Sequence, residues 1–428
     1  MPKSVFLQFE FPTPVAWFYA AAMLTIAIYF QFGRIFSLRN LDVLGLFLFV
    51  PGFLLLGEAH QSSKGDPRDP SAAFLGYVWL LAASGFWFVR CLLDIAASKR
   101  PRVAVNLSTP GLFWFAGALL LGLCVAAATR PAESETIGKR PAQFDGLEEG
   151  VTVAMQQADP VETKIVVARC LAIACQIAVA ILLLLIGAIH FRELSLGVSA
   201  AALYLLLPFT GYRFDQSHHV WPTALLLGAL LSYRRPIGAG VLFGLAVGTS
   251  FFPIVLLPVW LQFYRGRGKG IFAAWFSAFA LLGLAGTVPA LVFGGEFTAG
   301  IWQSLHLADW QPWGISRSEG IWSGVHWAYR LPVFIAFVGL VCASAFWLAV
   351  RDLGQLLAVC SVLLIGTQFW FADCGGAYVL WYAPLLILMI LRPSTADLQP
   401  PEKERAARTG WLRRRRSPVA AVSPSLAV

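Results

Sequence analysis

Apolar runs of roughly membrane-crossing length recur along the whole chain. They fall at about 14–32, 42–57, 74–95, 110–128, 166–190, 196–212, 220–233, 271–293, 331–350, 354–372 and 376–391. A helix needs about 20 such residues to cross a hydrocarbon core ~30 Å thick. No water is available there to satisfy the backbone, so each run must close its own hydrogen bonds as a helix. The recurrence therefore predicts an all-α, polytopic membrane helix bundle of about 12–13 transmembrane helices joined by loops. Composition agrees. Hydrophobic residues make up 58% of the chain and charged residues 13%, against about 25% charged in soluble domains.

One further apolar stretch, 237–264, is too long for a single straight crossing and has Pro253 in its middle. Basic residues flank it on both sides, Arg234 and Arg235 before it and Arg265, Arg267 and Lys269 after it. Two cytoplasmic flanks require an even number of crossings. We expect a hairpin of two short helices with Thr249, Ser250 and Phe251–Pro253 at its tip; one tilted helix is the competing reading. With the hairpin, the short basic loops all face one side. The N-terminus is then outside and the C-terminus cytoplasmic, with outer loops at 58–73, 129–165, 213–219, 294–330 and 373–375.

The net charge of +9 sits in these loops and in the tail TGWLRRRRSP. That is a topology signal and not a nucleic-acid footprint. Arg90 and Asp94, spaced i,i+4 at an inner helix end, should form an ion pair. The seven cysteines show no ligand spacing and read as small apolar fillers. The opening MPKSVFLQFEFP lacks a basic n-region and a cleavage site, so no cleaved signal peptide is expected.

Chemistry-bearing residues gather on the expected outer face. The 129–165 loop carries Glu133, Glu135 and Asp145, and its GLEEGVTVAMQQ segment could lie as a short helix on the membrane. The 213–219 patch carries Arg213, Asp215, Gln216, His218 and His219. The 294–330 loop places Trp302, Trp310, Trp313, Trp322 and Trp327 among His306, Asp309, Arg317, Glu319 and His326. Tryptophans at a boundary anchor a helix; their faces also suit stacking on a sugar or a lipid carrier. A carboxylate in this set could take a proton from a hydroxyl acceptor, or the set could hold a divalent cation bridging a phosphate. Adjacent histidines on a helix diverge by about 100°, which argues against His218 and His219 sharing one metal ion. Asp215 also stands where a helix N-cap would.

The stretch RFDQSHHVWPTALLLGALLSYRRPIGAGVLFGLAVGTSFFPIVLLPVWLQFYRGRG resembles the middle of membrane glycosyltransferases of the GT-C type, in the bacterial branch related to polyprenol-phosphate-mannose-dependent mannosyltransferases. The matching positions are Asp215–Gln216, Arg234–Pro236, Gly244–Ala246 and Pro253–Pro258. More loosely, FDGLEEGVTVAMQQADP is similar to that family's first long outer loop, which carries the catalytic acid. The resemblance spans roughly 110–390. It divides the chain into N-terminal helices at 1–109, a core at 110–392 and a disordered basic cytoplasmic tail at 393–428.

The resemblance implies transfer of a hexose, mannose-like, from a polyprenyl-phosphate donor to a glycan or lipid acceptor outside the cytoplasm of a bacterial cell. Asp145, Asp215, Glu133 or Glu135 would then supply the base. Arg213, Gln216, His218, His219, Ser250, His306, Trp310 and Trp313 would bind the phosphate and the substrate. No nucleotide-binding loop is present, which suits a lipid-linked donor. A transporter or a non-catalytic membrane scaffold is the reading from another class.

Overall fold

A computed structural model describes residues 13–62, 70–96, 105–129, 160–214, 216–250, 252–264, 266–287, 320–348, 350–393 and 398–401. All regular structure in them is helical. The first helices are α1 (Pro14–Tyr29), α2 (Leu38–Gly45), α3 (Val50–Ser62), α4 (Pro70–Ala96) and α5 (Thr109–Thr129). Next come α6 (Pro160–Leu185), α7 (Leu194–Leu206), α8 (Pro208–Tyr212), α9 (Ser217–Leu231) and α10 (Pro236–Thr249). The remainder are α11 (Leu257–Phe263), α12 (Gly266–Thr287), α13 (Trp327–Phe346), α14 (Leu353–Trp370) and α15 (Ala383–Leu391).

Local sequence sets several of the starts. Thr13 caps α1 by accepting from the Ala16 amide, with Pro14 in the first turn where no amide partner is needed. Asp352 caps α14 by accepting from the Gln355 amide at 3.0 Å, and the Gln355 side chain accepts from the Arg351 amide at 2.8 Å. This reciprocal pair resembles a capping box.

Among the described residues, seven helical stretches are long and apolar enough to cross a membrane, and four shorter apolar helices accompany them. The expected crossings at 14–32, 196–212 and 237–264 fall on the shorter helices. Burial explains the difference for the innermost of them. α7 is wrapped by protein along nearly its full length, so it need not match the bilayer's thickness, and the same holds for the nine-residue α15 in the 376–391 run. α14 joins them at the centre, with 89% of its apolar window inside the bundle, against 17% for α12 and for α13. The outer helices instead expose large apolar side chains, among them Trp114, Leu121, Leu281, Leu282, Ile335 and Phe346. A soluble protein of this size would hide such a surface; lipid is the solvent that accepts it. The chain is a multi-pass membrane helix bundle.

The 237–264 stretch is a hairpin. The Tyr264 hydroxyl donates to the Tyr233 carbonyl at 2.6 Å. One helix over that length would hold these two residues roughly 45 Å apart. α10 ascends to Thr249, the chain turns at Ser250, and Phe252–Leu256 with α11 brings it back. α12 then runs parallel to α10. Gly240, Gly244 and Gly248 meet it in ascending order, near Phe272–Phe276, Phe276–Ala280 and Ala280–Leu284. Small residues four apart let two backbones approach this closely. Phe243, Trp260, Phe272 and Phe276 fill the space beside the stripe with ring centroids 5.5–6.2 Å apart.

At one end of the bundle a buried ionic network joins distant parts of the chain. Arg90 donates to both Asp42 oxygens, at 2.6 and 2.8 Å, and to Asp94 at 3.4 Å. Arg392 donates to the other Asp94 oxygen at 2.6 Å. The expected Arg90–Asp94 pair is present, but Asp42 is the closer partner. The cysteines divide: Cys91, Cys175, Cys360 and Cys374 are buried, and Cys170 and Cys342 are exposed. Exposure at the last two departs from the filler role.

Candidate functional site

The opposite end of the bundle is organised around Arg213. It follows α8, a single turn started by Pro208, and is almost wholly buried. Its Nη1 donates to the Ala377 carbonyl at 2.7 Å and lies 3.0 Å from His219 Nε2. An arginine only donates, so His219 must accept through the unprotonated nitrogen. The guanidinium also stands 4.9 Å above the Phe53 ring. Loss of hydration pushes its pKa down to about 10, opposed by Tyr378, Cys374 and Tyr77. It remains charged at neutral pH. Its Nη2 is buried without a hydrogen-bond partner, and no ion pair of it occurs among the described residues.

His218 and His219 open α9. Their rings lie 4.2 Å apart, and His219 faces Tyr378 at 5.4 Å. Both are buried. The N-cap of α9 is Gln216, which makes no side-chain cap bond; the place expected for Asp215 as a cap belongs to its neighbour. Asp215 itself lies outside the described residues.

The hairpin tip closes one side of this end. Thr249 accepts from Trp221 Nε1 at 2.9 Å and donates to the Leu245 carbonyl. Ser250 is buried, and its hydroxyl has no partner. Two residues on, Phe252 stacks on Trp381 with centroids 3.6 Å apart and planes 4° from parallel. Tyr378 covers the Trp381 ring at 4.3 Å. Trp381 Nε1 and Gln216 Oε1 are further buried atoms without partners.

The turn between α14 and α15 carries what sequence reasoning missed. Asp373, Cys374, Tyr378 and Trp381 are all buried here. Cys374 takes a left-handed backbone (φ 50°), and Gly376 follows at φ 92°. A side-chain-bearing residue in that region marks a constrained turn. The Gln368 side chain holds it by accepting from the Gly376 amide at 3.1 Å, and Tyr77 donates to Cys374 Sγ at 3.3 Å. The end of the 294–330 loop lies against the same turn. Gly320 approaches Cys374 and Ala372, Trp322 donates to the Phe369 carbonyl at 2.9 Å, and buried Arg330 is attracted by Asp373. A signal existed: Asp373 is the one acid between Asp352 and Asp397.

The structure thus brings Arg213, Gln216, His218, His219 and Ser250 to one end of the bundle, with Asp373, Tyr378 and Trp381. Asp145, Glu133, Glu135, His306, Trp310 and Trp313 lie outside the described residues. No group of three His, Cys, Asp or Glu among the described residues is arranged to hold a metal ion. No protein-family model matches the chain, and neither a curated protein nor a solved structure matches it.

Proposed function

We propose that this chain is a membrane glycosyltransferase that moves a mannose-like hexose from a polyprenyl-phosphate donor to a glycan or lipid acceptor. The observation carrying the reading is Arg213: a buried guanidinium with an unpartnered Nη2 and no carboxylate paired with it among the described residues. Leaving a buried charged donor unmade is costly. A lipid phosphate supplies the missing acceptor and charge. Ser250 Oγ and Trp381 Nε1 add two more buried donors without partners at this end, a combination that suits a ligand rich in acceptors.

In this reading the Arg213 end faces outward, the N-terminus is outside, and the C-terminus lies in the cytoplasm of a bacterium whose plasma membrane holds the protein. Arg213 draws off charge from the departing phosphate as the glycosidic bond breaks. A carboxylate takes the acceptor's hydroxyl proton. Asp145, Asp215, Glu133 and Glu135 are the sequence candidates for it. Asp373, buried on the turn that Arg213 contacts through Ala377, joins them. The stacked Phe252, Trp381 and Tyr378 rings supply flat apolar faces of the kind that stack on a sugar or prenyl chain.

A catalytically inactive scaffold is the second reading. It is favoured by the hairpin tip, where Thr249 is already engaged by Trp221 and no cation stands beside Ser250 in the sequence. A transporter would be expected to place ionisable groups near mid-membrane, and here they collect at the ends. The test is transfer of radiolabelled sugar from polyprenyl-phosphate donors in proteoliposomes, comparing wild type with Arg213→Gln, Asp215→Asn, Asp145→Asn and Asp373→Asn. Transfer by wild type that is lost in folded Arg213→Gln supports the enzyme. Absence of transfer with every donor, from folded wild type, favours the scaffold.

A further inference from the structure

At the Asp42 end, the segment from Phe32 to Gly45 has features that the candidate site does not use. Its loop is held by one residue. The Asn40 side chain accepts from the Gln31 amide at 2.9 Å and donates to the carbonyls of Gln31, Arg34 and Ile35, each at 3.1 Å. Ser37 caps α2. The backbone of the loop is therefore set before any ligand arrives.

Arg39 sits in the first turn of α2. Its side chain is half-buried, yet all three guanidinium nitrogens lack both solvent access and a hydrogen-bond partner. No other described arginine has all three in that state. A long cationic side chain at a membrane surface normally buries its stem and exposes its head; Arg39 does the reverse. Its nearest carboxylate in the sequence, Asp42, is committed to Arg90 through two hydrogen bonds. Besides Arg34, the segment's exposed surface is largely apolar. Phe32, Ile35, Phe36, Leu38, Leu41 and Leu44 are all exposed, Phe36 by 90%.

We propose that Arg39 receives the phosphate of an anionic phospholipid in the leaflet at the Asp42 end. The guanidinium offers a fork that matches two phosphate oxygens. The first-turn amides of α2 add favourable potential for an anion. Phe36, Leu38 and Leu41 offer apolar surface to the acyl chains. No acid in the 31–41 segment is available to receive an ammonium headgroup, so the site selects a headgroup such as glycerol over choline. The aliphatic stem stays at the surface, and rotation about it delivers the head to the interface without moving the backbone. This site is independent of the transfer reaction proposed above.

The test uses the full chain in phosphatidylcholine nanodiscs, with or without phosphatidylglycerol, and follows thermal unfolding. Phosphatidylglycerol should raise the midpoint of wild type and of Arg34→Gln, and should not raise that of Arg39→Gln. Arg39→Lys should keep a reduced response. Native mass spectrometry of wild type should show phosphatidylglycerol retained over phosphatidylcholine, with apparent affinity falling roughly tenfold in Arg39→Gln. Equal retention of the two lipids by wild type overturns the proposal even if Arg39→Gln fails to fold. An unchanged response in Arg39→Gln also overturns it. So does an equal midpoint shift from inorganic phosphate in pure phosphatidylcholine, which would make the ligand a free anion.

Discussion

Replacing Gly244 by alanine should loosen the contact between α10 and α12. A Cβ there would stand 2.5 Å from the Phe276 carbonyl oxygen and 3.0 Å from the Ala280 amide nitrogen. The first distance is about 0.9 Å inside the 3.4 Å at which ordinary contact begins. Both atoms belong to a helix backbone, so neither can rotate away. Gly240 and Gly248 meet the same helix with 2.8 and 2.5 Å clearances, so tilting relieves one contact by tightening another. Overpacking of this kind costs roughly 1–3 kcal/mol. Alanine also raises helix propensity over glycine, which would mask part of the loss. Gly270→Ala provides the control, because a Cβ at Gly270 meets nothing within 4 Å and carries the same propensity gain. The difference between the two variants isolates the clash. It should reach about 1–3 kcal/mol, or roughly five- to 150-fold in the ratio of folded to unfolded protein. Thermal unfolding in one detergent, read by near-UV circular dichroism, measures it. Equal stability of the two variants would refute the parallel packing of α10 on α12, and with it the support that packing gives the hairpin.

Three further outcomes are expected. Arg213→Gln should lower sugar transfer roughly a hundredfold with folding retained, and Arg213→Lys should recover part of it, as initial rates in proteoliposomes would record. Asp42→Asn should destabilise by roughly 3–5 kcal/mol, because it leaves Arg90 underpaired in the interior, and an Asp42→Leu/Arg90→Leu double variant should recover part of the loss in a thermal unfolding series. Tyr264→Phe should cost about 0.5–1.5 kcal/mol by removing the donor to the Tyr233 carbonyl, with faster proteolysis at the base of the hairpin as the second readout.

Local pattern carried much of this architecture. The hairpin was legible because basic residues on both flanks of 237–264 demand an even number of crossings. The Arg90–Asp94 pair was legible because helical spacing alone brings the two together. Asp42 was not, since it reaches Arg90 only through the packing of α2 on α4. The same limit applies to the candidate site. Arg213, His218 and His219 stood out as polar residues in an apolar stretch. Their neighbours Asp373, Tyr378 and Trp381 sit more than 150 residues away on a turn whose conformation depends on Gln368, Gly375 and Gly376. Trp381 lies buried there between Phe252 and Tyr378, a placement that only the folded turn produces.

The ionic network also bears on the order in which the protein can be assembled. Asp42, Arg90 and Asp94 are all synthesised early and carry one net negative charge between them. Arg392, a cation that offsets it, comes 298 residues after Asp94. Until α15 docks, Asp94 lacks its 2.6 Å contact to Arg392, while the 3.4 Å contact to Arg90 can form within α4 alone. The Arg392–Asp94 contact is therefore a late event, dependent on α15. A chain truncated before residue 392 would lose one charge-assisted hydrogen bond to a buried acid, a weakness that marks it as unfinished.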